Sequence, residues 1–268
     1  MKILMFQPKV TADKSANLAK VEKIFEEEKT NDIDFLVLPE MFNCPYEAEK
    51  FADYAEEIPG PTTDLLSRLA SEHGVYIVGG SMPERSGGKV YNTSPVLNPT
   101  GNIIGVHRKI HLFQVNYPGR IQFDESKYLE GGNEQTVLET EFGSIGIAIC
   151  YDLRFPELLR GMAKAGSRII FLPAAFNTTT GPAHWKPVLR TRAIDNQTFV
   201  VAASPARNRE SNYRAYGHSL VVDPWGEVLI EAGVGEEKLA IELDLEKIEE
   251  VRKRLPLLES LRPEVYSG

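Results

Sequence analysis

The sequence predicts an α/β protein built as a four-layer α-β-β-α sandwich with an internal pseudo-two-fold. Three observations predict it. Apolar stretches rich in Ile, Val and Leu alternate with segments of helical periodicity, the pattern of strands crossed over by helices. That pattern runs twice along the chain, and short stretches of the two runs match. LPEMFN at 38 to 43 echoes LPAAFN at 172 to 177, and VLNPTGN at 96 to 102 echoes VVDPWGE at 221 to 227. Each half would supply one sheet with helices on its outer face, leaving the two inner faces to pack together. The competing reading is shared turn chemistry, because Pro and Gly serve every tight turn.

The first half opens with a strand at 2 to 7. A helix follows at about 15 to 28, where Leu18, Val21, Ile24 and Phe25 recur at three- and four-residue steps and make one buried stripe. Its EKIFEEEK stretch, 22 to 29, reads as a solvated face. FLVLPE at 35 to 40, a helix near 62 to 72, a strand at 75 to 80 and a hairpin around SGGK at 86 to 89 complete the half. The second half has a strand at 144 to 150, a helix at about 156 to 165, the strand IIFLP at 169 to 173, a helix at about 183 to 195 and FVVAAS at 199 to 204. The echo breaks at one place. Pro39-Glu40 is matched by Pro173-Ala174, so the turn itself does not demand a carboxylate, and Glu40 needs a separate reason.

Composition narrows the function. A chain of 268 residues with 42% hydrophobic residues suits one layered α/β domain spanning 1 to 268. Acidic residues outnumber basic ones 38 to 30, for a formal charge of -8, so phosphate backbones are repelled and nucleic acid is a poor partner. Met1-Lys2-Ile3-Leu4-Met5-Phe6 runs straight into Gln7 and Pro8, too short for the apolar core of an export signal. The longest apolar run, IIFLPAAF at 169 to 176, falls far short of the roughly 18 residues of a membrane span. The two cysteines, Cys44 and Cys150, read as reduced thiols, which points to a soluble, cytoplasmic protein.

In open α/β sheets reactive groups gather beyond the carboxyl ends of strands. Glu40 and Cys150 sit at such ends, and Lys109, within HRKIHLF at 107 to 113, closes a strand between them. A thiol with an ordinary pKa near 8.5 needs a base or a cation to become a nucleophile. Glutamate can take its proton. An ammonium can lower the thiol pKa and also bind the oxygen that turns negative when a carbonyl is attacked, with the Tyr151 N–H as a second donor.

LPEMF around Glu40, HRKIHLF around Lys109 and GIAICYDLRFPE around Cys150 resemble, in this order and spacing, the three signature segments of the nitrilase, or carbon-nitrogen hydrolase, superfamily. FNTTTGPAHW at 176 to 185 and RAIDNQTFVV at 192 to 201 are similar to the branch containing omega-amidases. The resemblance implies a catalytic triad of Glu40, Lys109 and Cys150, a second pocket glutamate at Glu125 within FDESKYL, and the same four-layer sandwich. It also implies a homodimer, for which the helix after Cys150 and the tail at about 255 to 268 are candidates. A frayed terminus is the alternative for the tail.

True nitrilases have Trp-Glu after the cysteine, whereas this chain has Tyr151-Asp152, which favours amides over nitriles. The expected reaction converts a small carboxylated amide, of the omega-amide of 2-oxo dicarboxylic acid type, to acid and ammonia through a thioester. Deaminated glutathione, carbamoyl compounds and simple aliphatic amides are alternatives, as is a non-catalytic scaffold of the same fold. Arg154 is placed either to hold a substrate carboxylate or to form an internal ion pair. Tyr46, Phe42, Phe113 and Phe176 either line the pocket or are plain core. No cofactor or metal is called for. His107 and His111 mimic a metal pair at four-residue spacing, but Arg108 stands where a zinc helix would carry its glutamate.

Overall fold

The structure, a computed structural model, describes residues 1–26 and 32–266. The last residues of the expected first helix and the end of EKIFEEEK lie outside them. In chain order, strand β1 (Lys2–Gln7) leads to helix α1 (Lys14–Glu26), β2 (Phe35–Val37), the short α2 (Phe51–Tyr54), α3 (Pro61–His73), β3 (Tyr76–Val78), β4 (Met82–Ser86), β5 (Lys89–Leu97) and β6 (Ile103–Arg108). A separate hairpin of β7 (Gln114–Tyr117) and β8 (Ile121–Asp124) follows, then β9 (Thr136–Thr140), β10 (Gly143–Ile147), α4 (Pro156–Lys164), β11 (Ile169–Pro173), α5 (Gly181–Asn196) and β12 (Phe199–Ala203). The chain ends with β13 (Leu220–Val222), β14 (Val228–Glu231), β15 (Glu237–Glu242), α6 (Glu246–Arg254) and α7 (Pro263–Tyr266).

Both sheets have one plan. In the first, β1, β2 and β3 run parallel and β5 pairs antiparallel with β3. In the second, β10, β11 and β12 run parallel and β13 pairs antiparallel with β12. The turns echoed in sequence close equivalent hairpins, β5 to β6 and β13 to β14. Each hairpin slips register at the same step, between Val96 and Leu97 and between Val221 and Val222. Shared turn chemistry would not place an irregularity at the same point of two ladders, so the internal pseudo-two-fold is real.

One expectation needs correction. The halves do not each supply a whole sheet, because β15, from the second half, pairs antiparallel with β1 from Lys2–Glu242 to Gln7–Glu237 and completes the first sheet. Its equivalent in the second sheet, β9, pairs with β10. Without β15 the edge of β1 would present unpaired N–H and C=O groups.

The layers are visible in the packing. Ile3, Met5, Phe35 and Val78 of one sheet bury themselves against Ile147, Ile169, Phe171 and Val201 of the other, and this is the centre of the molecule. Alternate residues point outward, as the two-residue strand period requires. Leu4, Leu36 and Ile77 meet Val21, Ile24, Leu66 and Leu69 of α1 and α3, while Ile170, Val200 and Leu220 meet Met162, Trp185 and Leu189 of α4 and α5. Strands buried on both faces read as continuous apolar runs. Several expected strands run past the observed ones. β2 stops at Val37 and β10 at Ile147, so Glu40 and Cys150 lie three residues beyond their strands, in turns over the sheet ends.

Candidate active site

Each turn over the sheet ends is held by its neighbours. Met41, in the left-handed region at φ 51°, donates its N–H to Ser81 Oγ at 3.1 Å, and the Ser81 N–H bonds to Pro39 O at 3.1 Å. These bonds aim the Glu40 side chain inward. Cys150 is also left-handed, at φ 45°, an unusual conformation for a residue with a Cβ. It opens a 3-10 turn, Cys150–Arg154, directly before α4. Lys109 follows β6 by one residue and is fixed by its own backbone, N–H to Asn92 O and O from Gly132 N–H, both 2.8 Å.

Lys109, Glu40 and Glu125 meet out of contact with water. The Lys109 ammonium bonds to Glu40 Oε1 at 2.9 Å and to Glu125 Oε2 at 2.8 Å, with all three side chains fully buried. Glu40 Oε1 also accepts from Asn92 Nδ2 at 2.8 Å and lies 3.2 Å from the Tyr46 hydroxyl oxygen, whose single proton goes to Glu125, whereas Oε2 has no hydrogen-bond donor among the described residues. Glu40 and Cys150 are near enough that the charge of the carboxylate raises the proton affinity of the thiol. Glu125 accepts the Tyr46 hydroxyl at 2.6 Å and the Phe113 N–H at 2.6 Å, so its carboxylate is saturated where that of Glu40 is open on one side. The sulfur accepts the Ala175 N–H at 3.5 Å. Ala175 lies in LPAAFN, so both echoed turns serve the site, one with a carboxylate and the other with a backbone donor.

Electrostatics in so dry a site are strong. Burial would lower the Lys109 pKa, but the charges of Glu125 and Glu40 outweigh it and hold the ammonium far above its ordinary value. Burial, and then the charge of Glu125, push Glu40 upward against the opposing pull of Lys109. For Cys150, burial and the charge of Glu40 raise the thiol well above its ordinary value, and Lys109 and the Ala175 N–H recover only part. The direction is opposite to the lowering expected of a neighbouring ammonium, because burial and Glu40 outweigh Lys109. The thiol is protonated beside a carboxylate whose proton affinity is raised, an arrangement suited to proton transfer as the sulfur attacks.

Phe113, Tyr151, Arg154 and Phe176 share a cavity with Cys150, together with Asn177, Thr180 and Tyr213, which the sequence reading passed over. Tyr46 belongs to the charged cluster itself. It also lines, with Phe123, Asn177 and Tyr213, the wider cleft that opens toward solvent. Phe42 departs from its expected place in the pocket. It is buried among Leu36, Leu38, Leu66 and Leu69 on the helix-facing side of the first sheet, so it is core. The Arg154 guanidinium lies 5.0 Å from the Phe176 ring centroid and bonds to His184 Nδ1 at 3.2 Å. No carboxylate lies within ion-pair distance of it among the described residues, so the internal ion pair is not formed. Cys44 and Cys150 are both free thiols, and Cys44 is buried beside the Met41 sulfur. His107 and His111 both bond to Asp152, at 3.2 and 2.8 Å. Among the described residues no helix is long and apolar enough to cross a membrane.

A family model described as carbon-nitrogen hydrolase matches residues 3–253. The chain is 44% identical to the omega-amidase NIT2 of Mus musculus, over 99% of this chain and 96% of that protein. It is 43% identical to the omega-amidase NIT2 of Homo sapiens over the same shares. Among solved structures it superposes on Saccharomyces cerevisiae Nit3, a member of branch 10 of the nitrilase superfamily, with a TM-score of 0.87, 42% identity and coverage of 96% of this chain and 94% of that one.

Proposed function

The chain belongs to the carbon-nitrogen hydrolase family, and we propose that within it the protein hydrolyses the terminal amide of a small carboxylated substrate, of the omega-amide type, with Cys150 as nucleophile. The observation that carries this reading is the buried Glu40–Lys109–Glu125 cluster set against the Cys150 thiol at the floor of a cavity that also holds a cation, Arg154.

Glu40 takes the thiol proton as sulfur bonds to the amide carbon, and the oxygen that becomes negative is held by Lys109 and the Tyr151 N–H. The tetrahedral adduct collapses by breaking its C–N bond, the Glu40 proton passes to the leaving nitrogen, and ammonia departs from a thioester. Glu40 then takes a proton from water as its oxygen adds to the thioester. Breaking the C–S bond gives the acid and returns the proton to sulfur. Glu125 keeps the ammonium aimed, and its lack of a free lone pair suits it to that service rather than to proton transfer. Arg154, with no carboxylate partner among the described residues, supplies two parallel N–H groups for the far carboxylate of the substrate. The mouse and human relatives carry the name omega-amidase, which supports this substrate class.

The test is ammonia release from 2-oxoglutaramate-like and 2-oxosuccinamate-like amides, with Cys150→Ser as control, and mass spectrometry of enzyme quenched during turnover. An acyl adduct on Cys150 is expected. An adduct elsewhere, or full turnover by Cys150→Ser, overturns the assignment. We also infer a single domain over 1 to 268 that works in the cytoplasm as a homodimer joined through α4 and the tail. The exposed Leu255 and Val265 of that tail support the pairing, and equilibrium sedimentation tests it.

A further inference from the structure

His107 and His111 flank Lys109 at two residues on either side, and neither has a part in the chemistry above. Both reach Asp152, which lies two residues beyond Cys150 and is fully buried. Asp152 Oδ2 accepts from His107 Nε2 at 3.2 Å and from the Ile149 N–H at 3.0 Å. Its Oδ1 accepts from His111 Nδ1 at 2.8 Å and from the His111 backbone N–H at 2.9 Å. Four donors from two segments distant in sequence therefore saturate one carboxylate. A second contact locks the same two segments, because the His111 ring stacks on Phe155 with centroids 3.5 Å apart and planes 9° apart. Burial pushes the Asp152 carboxyl upward, but the bonds from His107, His111 and the Ile149 N–H outweigh it and hold the group below the usual carboxylate range. It is ionised, so both imidazoles present an N–H to it.

We propose that Asp152 is a positioning residue, a strut that ties the Lys109 segment to the Cys150 turn and fixes the distance between ammonium and sulfur. The inference rests on the reading of Cys150 as nucleophile and adds to it. The need for a strut is local. Cys150 sits in a left-handed conformation that a residue with a Cβ does not choose unaided, and the Asp152 carboxylate holds the N–H of the residue just before it. Lys109 follows a strand of one sheet and Cys150 follows a strand of the other, so the spacing between them is set across the sandwich interface. A carboxylate bonded to both sides defines that spacing more tightly than apolar packing, which has no direction.

Asp152→Asn keeps the size and replaces one acceptor oxygen by a donor that faces an N–H. We expect kcat to fall about 10- to 100-fold with KM little changed. His111→Phe keeps the stack on Phe155 and removes the side-chain bond, and we expect a smaller fall, again in kcat. In quenched-flow mass spectrometry the variants should acylate Cys150 to the same final extent as wild type but more slowly. The double variant should cost less than the product of the single effects. A residue that served folding alone would lower the thermal midpoint and the fraction of sites acylated, and leave the acylation rate unchanged. That result overturns the proposal. If Asp152→Asn fails to fold, His111→Phe decides: unchanged kcat and unchanged acylation rate in a folded His111→Phe protein overturn the strut. Failure of wild-type enzyme to acylate Cys150 would instead sink the nucleophile assignment, so the two failures are distinguishable.

Discussion

Lys109 is tolerable in a dry interior only because two carboxylates face it. Lys109→Ala should cost at least about 10²-fold in kcat through loss of an oxyanion donor. It should also cost about 3 to 5 kcal/mol of stability, because two buried carboxylates lose their cation. Steady-state kinetics and chemical denaturation check the two parts. Glu40 must be ionised to accept the thiol proton, and burial together with the charge of Glu125 raises its pKa, so kcat/KM should be lost as pH falls through a point above the ordinary glutamate value of 4.5. Glu125→Gln removes one of the charges that raise it, and the acid limb of the profile should move to lower pH. Asp152 has the opposite sign. Its folded pKa is depressed, so its contribution to stability is present above the ordinary value of 3.8 and lost as pH falls below it. Denaturation of Asp152→Asn at pH 7 and pH 3 should show a smaller loss between the two than wild type. At this scale the sequence names Glu40, Lys109 and Cys150 because their chemistry is complementary, and Glu125 through the family resemblance of FDESKYL. Asn92 escapes it, since a strand asparagine becomes a ligand of Glu40 only once the sheet is assembled, and Tyr46 is named as a pocket residue but not as a partner of the charged cluster.

The turns do work that strand patterns do not foretell. Gly80, at φ 56°, brings its backbone so near Pro39 that a Cβ would lie 2.2 Å from the Pro39 oxygen. Its neighbour Ser81 bonds both Pro39 and Met41. Gly80→Ala should therefore displace the Glu40 turn, lowering stability by about 1 to 3 kcal/mol and reducing kcat by more than it changes KM; kinetics beside a urea titration reads both. Apolar periodicity makes the central strands and helices legible, and IIFLP at 169 to 173 coincides with β11. The β7–β8 hairpin is not legible, because its strands are short, half-exposed and polar. Yet it carries Phe123 onto the Tyr46 ring and leads into Glu125, whose N–H bonds Phe113 O at 3.0 Å across the hairpin base.

For the whole molecule, the echoing segments reveal the two matched sheets, and the register slip at the same step of both hairpins supports that repeat. What the echoes do not reveal is the exchange that completes the first sheet, because β15 reads EKLAIE, exposed on most of its length and without a strong apolar signal. A chain ended after Glu236 should leave β1 with a bare edge and aggregate, whereas a chain ended after Leu257 should keep its fold and lose only the dimer proposed above; light scattering distinguishes the two.

The pairing of Lys2 with Glu242 also sets an order of events during synthesis. β1 leaves the ribosome before β15 does, so the outer edge of the first sheet stays open until β15 has been made. Until then that edge is a template on which a strand of another chain can pair.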